Sequence, residues 1–265
     1  MMLKGLYAAA SSMVANLERQ TVLTHNATNL TTPGFKQLLI SMEDWEETGV
    51  FPRVNKQVKL PFLPSVYENL TLQQVRYIGN LGLGTDTTPE EVDFTQGALL
   101  NTGETFDLAI EGEGFFYVQT PDGNRYTRDG RFNRDSEGNL VTVDGYKVLD
   151  EGGAPIVLSQ GETYIDGNGT IVVNGVQMAK LGFFNFADPK LDLVRDGPNL
   201  FEAVGTPTAE KLGRIRQGAI EASNVSIAEV TTQMLLVGRA YEAAQQLVTV
   251  QDSLLGRAIT TLGQF

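Results

Sequence analysis

The stretch SIAEVTTQMLLVGRAYEAAQQLVTVQDSLLGRAITTL, Ser226–Leu262, decides the fold. Its residues Ile227, Val230, Met234, Val237, Tyr241, Ala244, Val248, Leu255, Ala258 and Leu262 recur in three-four alternation, and only Gln251 interrupts the line. An apolar repeat of seven belongs to a helix packed lengthwise on another helix, because an ordinary surface helix drifts off such a line. Ser226 and Glu229 offer a capping box at its start. Gly238 and Gly256 each cost about 1 kcal/mol relative to Ala, so packing has to outweigh propensity here.

Working outward, the other end of the chain carries a second seam of the same spacing: Leu3, Leu6, Ala10, Met13 and Leu17, continued weakly by Gln20, Thr24 and Ala27. A helix is predicted over residues 3–30. It stops at Thr31-Thr32-Pro33-Gly34, since the residue before proline is pushed toward extended geometry and glycine frees the turn. Two coiled-coil-type ends, separated by a long stretch of different character, point to a protein that assembles rather than one that catalyses.

The intervening chain changes its pattern twice. Residues 36–93 are irregular, with the acidic run Glu43, Asp44, Glu46, Glu47 and prolines at 52, 61 and 64; Val66 to Ile78 is expected to supply a strand or two. From 94 to 205, short β-branched and aromatic runs alternate with turns at Asp122-Gly123, Asp129-Gly130, Glu137-Gly138, Asp144-Gly145, Asp166-Gly167 and Asn174-Gly175. Such dipeptides favour two-residue hairpins, in which both central residues need positive φ. The predicted class is therefore α+β and multidomain. Residues 1–35 with 222–265 form a helical assembly domain, 36–93 with 206–221 a partly β connector, and 94–205 an all-β antiparallel domain.

Composition narrows the function. The net charge of −12 argues against nucleic acid, whose binding relies on Lys and Arg releasing phosphate counterions. The absence of cysteine excludes disulfides, thiolate metal sites and a Cys nucleophile. The first residues hold no unbroken apolar run, so neither a cleaved signal peptide nor a membrane span is expected. Asp166-Gly-Asn168-Gly-Thr170 begins like a calcium loop, but Ile171 and Gln177 stand where such a loop needs Gly and Glu, which leaves a hairpin turn. Glu111 and Glu113 are paired carboxylates, yet each precedes a glycine in what reads as a tight bend. His25 is the single histidine, and a polar contact at a helix or subunit junction suits it better than a ligand role. Asn26 and Asn29, three apart near a helix end, suit capping or bridging to a second helix. No catalytic residue, cofactor, metal site or small-molecule substrate is expected.

Several stretches, taken together and in order, resemble the bacterial flagellar rod and hook family. They are Asn26-Ala-Thr-Asn29-Leu-Thr-Thr32-Pro33-Gly34-Phe35-Lys36; Gln96-Gly97-Ala98-Leu99 with Ala109-Ile110-Glu111-Gly112-Glu113-Gly114-Phe115-Phe116; Tyr126-Thr127-Arg128-Asp129-Gly130-Arg131-Phe132 with Gly138-Asn139-Leu140-Val141; Gly218-Ala-Ile-Glu221-Ala-Ser223-Asn224-Val225; and Arg239-Ala240-Tyr241-Glu242. His25, Ala27, Ser226 and Gly238 depart from the family pattern, and residues 41–75 align with no part of it. By length and layout the resemblance is strongest to rod proteins with one middle domain, the distal rod protein foremost. It implies a subunit exported through the flagellar type III apparatus to the basal body. There it would polymerise helically with copies of itself and with neighbouring rod and hook proteins into a hollow drive shaft. The seam residues would be the self-assembly interface. A proximal rod or hook paralogue is the alternative within the family. Outside it stand a β-rich secreted enzyme or carbohydrate-binding module with helical oligomerisation ends, and a cap or scaffold chaperone of the export system.

Overall fold

The computed structural model describes residues 2–50, 79–88, 90–208 and 212–262, with the side chains of 2–4, 43–50, 79–84, 258, 261 and 262 left aside. The expected strands between Val66 and Ile78 lie outside the described residues. Among the described residues the helices are α1 (Met2–Thr28), the single turn α2 (Pro189–Asp192) and α3 (Ile227–Leu262), and the described residues between α1 and α3 apart from α2 are β-structure or loop. At about 1.5 Å per residue, the 27 residues of α1 and 36 of α3 make rods of roughly 40 and 54 Å. The class is α+β, with long helices at both ends and a β-rich middle.

The chain divides into two compact units. One comprises Met1–Gln20, Ile40–Pro89 and Leu235–Phe265. Among its described residues the β-structure is an antiparallel pair, Met42–Val50 with Gly79–Thr87, in register from Met42 opposite Thr87 to Val50 opposite Gly79. The pair is tied to α1 by the Thr85 N–H, which donates to Ser11 Oγ at 3.1 Å, and by the Thr87 hydroxyl, which donates to Glu18.

The second unit, Thr21–Leu39 with Glu90–Met234, holds the principal core. A wholly antiparallel sheet runs in the order 193–195, 200–203, 123–127, 115–120, 147–148, 140–142, 132–134, and 183–184 also pairs with 115–120. Successive strand residues face opposite sides, and both Phe115 and Phe116 are fully buried, so this sheet is covered on both faces. Phe116 joins Leu108, Ile110, Val118, Phe132 and Leu140 on one side. Phe115 joins Tyr126, Phe186, Leu193 and Phe201 on the other, with Phe115–Phe201 centroids 5.7 Å apart and rings at 66°. Residues 214–217 pair with Leu108–Glu111 and 219–221 with Leu99–Asn101, which brings the approach to α3 back onto the β-domain.

The turns are built differently from the expectation. Only Asn174-Gly175 combines two positive φ values, +51° and +82°, in a two-residue loop closing Val173 onto Val176. Two of the others, at 137–138 and 166–167, share a longer design with a further turn that begins at Asp150. The Oδ1 atoms of Asp135, Asp150 and Asp166 each accept the N–H groups two and four residues ahead, at 2.7–2.9 Å. The residue three ahead is Gly138, Gly153 or Gly169, each at positive φ. This is a three-residue hairpin loop whose left-handed position needs glycine and whose first carboxylate satisfies the turned backbone. At 166 the turn glycine is therefore Gly169, not the Gly167 that directly follows the Asp. The Asp166 carboxylate is spent on Asn168 and Thr170, in agreement with a hairpin rather than a calcium loop. At the start of α3, Ser226 contributes only its carbonyl, to the Val230 N–H at 2.9 Å, while Glu229 takes a bond from Gln233. The capping box is not made.

These loops set an acid sensitivity. The Asn139 amide, with backbone N–H groups, holds the Asp135 carboxyl below its ordinary 3.8, and the Thr170 N–H chiefly does the same for Asp166. A carboxyl whose folded pKa is depressed stabilises fully above its unfolded value and loses that contribution as pH falls through the folded one. The melting temperature is expected to drop as pH is lowered below 3.8, and to drop less steeply in Asp135→Asn and Asp166→Asn. Thermal melts by circular dichroism between about pH 5 and pH 2 measure both slopes.

Candidate functional site: a buried charge junction and two helix faces

Most of the signature residues converge on one place. Lys36, Arg128 and Glu221 are buried together, with side chains 1, 5 and 1% exposed. Lys36 Nζ lies 2.6 Å from Glu221 Oε1, and Arg128 Nη1 lies 3.0 Å from Oε2, so each carboxylate oxygen holds one cation. Backbone groups take several of the remaining valences, while Arg128 Nε is buried without a hydrogen-bond partner among the described residues. The Gly97 N–H donates to Oε1 at 2.9 Å, Lys36 Nζ to the Thr95 carbonyl at 2.8 Å, and Arg128 Nη2 to the Gly112 carbonyl at 2.9 Å. The guanidinium carbon sits 5.1 Å from the Phe115 centroid, a cation–π contact that seats the group on the aromatic core. Burial lowers the pKa of both cations, and the Glu221 charge opposes the shift in each.

The segment after α1 is threaded into this junction. The Gly34 N–H donates to the Glu221 carbonyl at 2.8 Å, and Gly34, at φ +70°, lies against the Arg128–Asp129 backbone where a Cβ would collide. Asn224 Oδ1 accepts the Gln37 N–H at 2.7 Å, and its amide donates to the Asp93 and Thr95 carbonyls. Ser223 Oγ accepts the Val225 N–H. Asn26 is fully buried and its side chain pairs with both backbone groups of Leu38, accepting at 2.9 Å and donating at 2.8 Å, as a neighbouring strand would. It therefore bridges to an extended segment, not to a second helix. Asn29 acts locally, donating to the His25 carbonyl at 2.9 Å and accepting from Thr32 Oγ1. His25 packs on the buried Phe35 ring and accepts at Nε2 from Arg195 Nη2 at 2.8 Å. Burial first, then the Arg195 charge, lowers its pKa, so the ring is neutral at pH 7. Glu111 is exposed, and Glu113 accepts from Asn185 across a bend with Gly112 and Gly114 at positive φ.

The helix seams are placed as follows. On α3, Val230, Val237 and Ala244 are buried, Met234, Tyr241, Val248 and Leu255 half-buried, and Ile227 exposed. Leu262 and Leu3 have no described side chain. On α1, Leu6 and Met13 are half-buried, whereas Ala10 and Leu17 are exposed; the buried positions are Ala9, Ala15, Asn16, Val22, Leu23 and Asn26. Gly5 of α1 faces the Gln251 side chain of α3, at the one polar position of the α3 seam. Arg239, Ala240 and Glu242 lie on the exposed side of α3 beside Tyr241.

Sequence inspection placed Lys36 in a motif but did not pair it with Glu221 or Arg128. The pairing partners lie 185 and 93 residues apart, and no local pattern links them.

The sequence has counterparts among known proteins. Residues 109–175 match the flagellar hook protein FlgE/F/G D1 domain, and residues 216–261 match the flagellar basal body rod FlgEFG protein C-terminal family. The flagellar basal-body rod protein FlgG of Borreliella burgdorferi is 34% identical, over 97% of this chain and 98% of its own. The flagellar basal-body rod protein FlgF of Rhizobium meliloti is also 34% identical, over 98% of each. FlgG of Agrobacterium fabrum is 30% identical, over 95% of this chain and 97% of its own. This chain belongs to the flagellar basal-body rod protein family. It is a structural subunit of the rod, located in the basal body.

The junction gives a stability test. Removing one partner of a buried ion pair strands the other charge, at a cost of about 3–5 kcal/mol. Glu221→Gln is expected to lower the unfolding free energy by about that amount. Lys36→Met combined with Glu221→Gln should cost less than the sum of the two. Urea denaturation of the four chains of that cycle measures the coupling.

Proposed function

We propose that this chain is a distal rod subunit, exported through the flagellar type III apparatus and polymerised helically into a hollow, torque-transmitting shaft. Residues 1–35 and 222–265 serve as its assembly domain, 94–205 as the outer β-domain, and 36–93 with 206–221 as the connector. The terminal helices pair as coiled coils with each other and with helices of neighbouring copies.

One observation carries the assembly reading. Besides its half-covered seam, α3 has a second heptad line, Leu236, Ala240, Ala243, Leu247, Val250 and Leu254, and every member is exposed. On α1, Tyr7, Ala10, Val14 and Leu17 form a similar exposed line. A helix with apolar lines on two sides suits a many-helix lattice, in which each helix has partners on more than one side. Covering a half-exposed Leu or Val contributes on the order of 1 kcal/mol, so cohesion comes from several contacts per subunit repeated along a tube. The spacing of the lines is the same on both helices, which favours copies of this chain as the occupants.

The distal position rests on length and on the single middle domain, with FlgG among the relatives. The equal identity to a FlgF keeps a proximal position as the second reading. Immunogold labelling of detergent-purified hook–basal bodies separates them, since label must fall on the hook-proximal segment of the rod for the distal assignment to stand.

Leu247→Asp lies on the exposed line, 57% exposed, and should leave the chain folded while abolishing polymerisation and swimming. Unchanged motility in cells carrying it would remove that face from the interface. Circular dichroism of the purified variant checks that folding is intact.

A further inference from the structure

The second unit contains a groove of about 1090 Å³ that the helix-face assembly proposed above does not use. One wall is the segment 101–106, the other is 161–165, and the floor is 215–218. Its walls are pinned across the floor. Gln217 Nε2 donates to the Thr105 carbonyl at 2.9 Å on one side and to the Thr163 carbonyl at 3.1 Å on the other, while its Oε1 accepts the Ile165 N–H at 3.1 Å. The Ile215 N–H ties the floor to the Gly167 carbonyl at 2.9 Å. The groove is thus a preformed feature, which lowers the ordering cost of any ligand.

The side chains along it are of two kinds. Thr163 and Ile165 turn into the core, so Tyr164 between them stands on the outer face, 62% exposed. Phe106 is packed partly into the core on the opposite wall. Around the rim, Asn101, Glu104, Glu162 and Arg216 are exposed and make no side-chain hydrogen bond or ion pair with another described residue. An accessible aromatic face, two carboxylates, an amide and a guanidinium along one rigid cleft match the recognition needs of a pyranose. Its C–H face packs on an aromatic ring, and its vicinal hydroxyls both donate and accept.

Two further observations separate this ligand from other classes. A peptide adding as a strand needs the open backbone edge of 163–165, and Gln217 already occupies the Ile165 N–H and Thr163 carbonyl on that edge. An anionic ligand meets two carboxylates against a single Arg216. The volume of about 1090 Å³ lies just above the roughly 300–1,000 Å³ range of small-molecule sites, which suits several sugar rings better than one. We propose that this groove is a binding site for a neutral oligosaccharide chain, with Tyr164 as its stacking platform. The sequence showed no such convergence because the segments that line the groove, from 101–106 to 215–218, are scattered over more than a hundred residues.

The test is titration of the full chain, carrying Leu247→Asp to keep it dispersed, with chitohexaose and with cellohexaose. Calorimetry and amide chemical shifts are followed together. The expected result is saturable binding of at least one hexasaccharide, with shifts concentrated at 101–106, 161–165 and 215–218. Tyr164→Ala should weaken it tenfold or more with an unchanged melting temperature. Tyr164→Phe should retain binding, and Val194→Ala, on the sheet-edge strand 193–195 outside the groove's lining, should leave it unaltered. Absence of saturable binding at millimolar sugar, binding indifferent to Tyr164→Ala, or displacement only by extended peptides would each overturn the assignment. None of these outcomes bears on whether the chain is a rod subunit, because polymerisation is read separately.

Discussion

Glu221 sits between Lys36 and Arg128 with almost no access to water, and the rest of the second unit is arranged around it. A carboxylate in that position is tolerable only when both oxygens are paired, since an unpaired buried charge costs several kcal/mol. Each oxygen has one cation, and the cations come from chain segments far from each other and from Glu221. The segment after α1, the hairpin at 125–131 and the strand before α3 must therefore arrive together. A cluster of this kind adds little net stability beyond an apolar core of equal volume. It penalises wrong arrangements instead, because any other registration of these segments leaves a bare charge inside.

Around that junction the β-domain economises on devices. One Asp-and-glycine loop recurs at 135, 150 and 166, and each copy spends its carboxylate on its own backbone. The acidic residues of these turns are thus structural. The sheet they connect is covered on both faces, which is why adjacent phenylalanines, Phe115 and Phe116, both vanish from the surface. Phe115 also carries the Arg128 guanidinium, so one aromatic face serves core packing and charge burial together. Side-chain amides take over where strands stop: Asn26 pairs with the Leu38 backbone, and Gln217 closes the edge at 163–165. Both substitutions leave an edge satisfied without extending a sheet, which protects it from adventitious strand pairing.

The helices follow the opposite logic. Each has one side covered within the chain and an apolar line left exposed, a state that a self-sufficient globular domain avoids. On the proposed assembly reading, that exposed line is what neighbouring subunits cover.

Much of this was written in the sequence in local terms. The heptad lines set both helices to within two residues at each end, because a 3.5 period and a Pro-Gly stop are properties of consecutive residues. The density of turn dipeptides announced the antiparallel β-domain for the same reason. Turn geometry was only partly legible. Asp166-Gly167 looks like a two-residue turn, and the choice of Gly169 depends on how the flanking strands Thr163–Ile165 and Thr170–Val173 register. The covered side of α1, marked by Ala15, Val22 and Leu23, was missed because small and large apolar residues lie on several of its faces and only the packing partner selects one. The Lys36–Glu221–Arg128 cluster and the groove pinned by Gln217 were not legible at all. Both consist of contacts between distant segments, and the physical quantity that defines them, burial of charge or the width of a cleft, does not exist until the chain has folded.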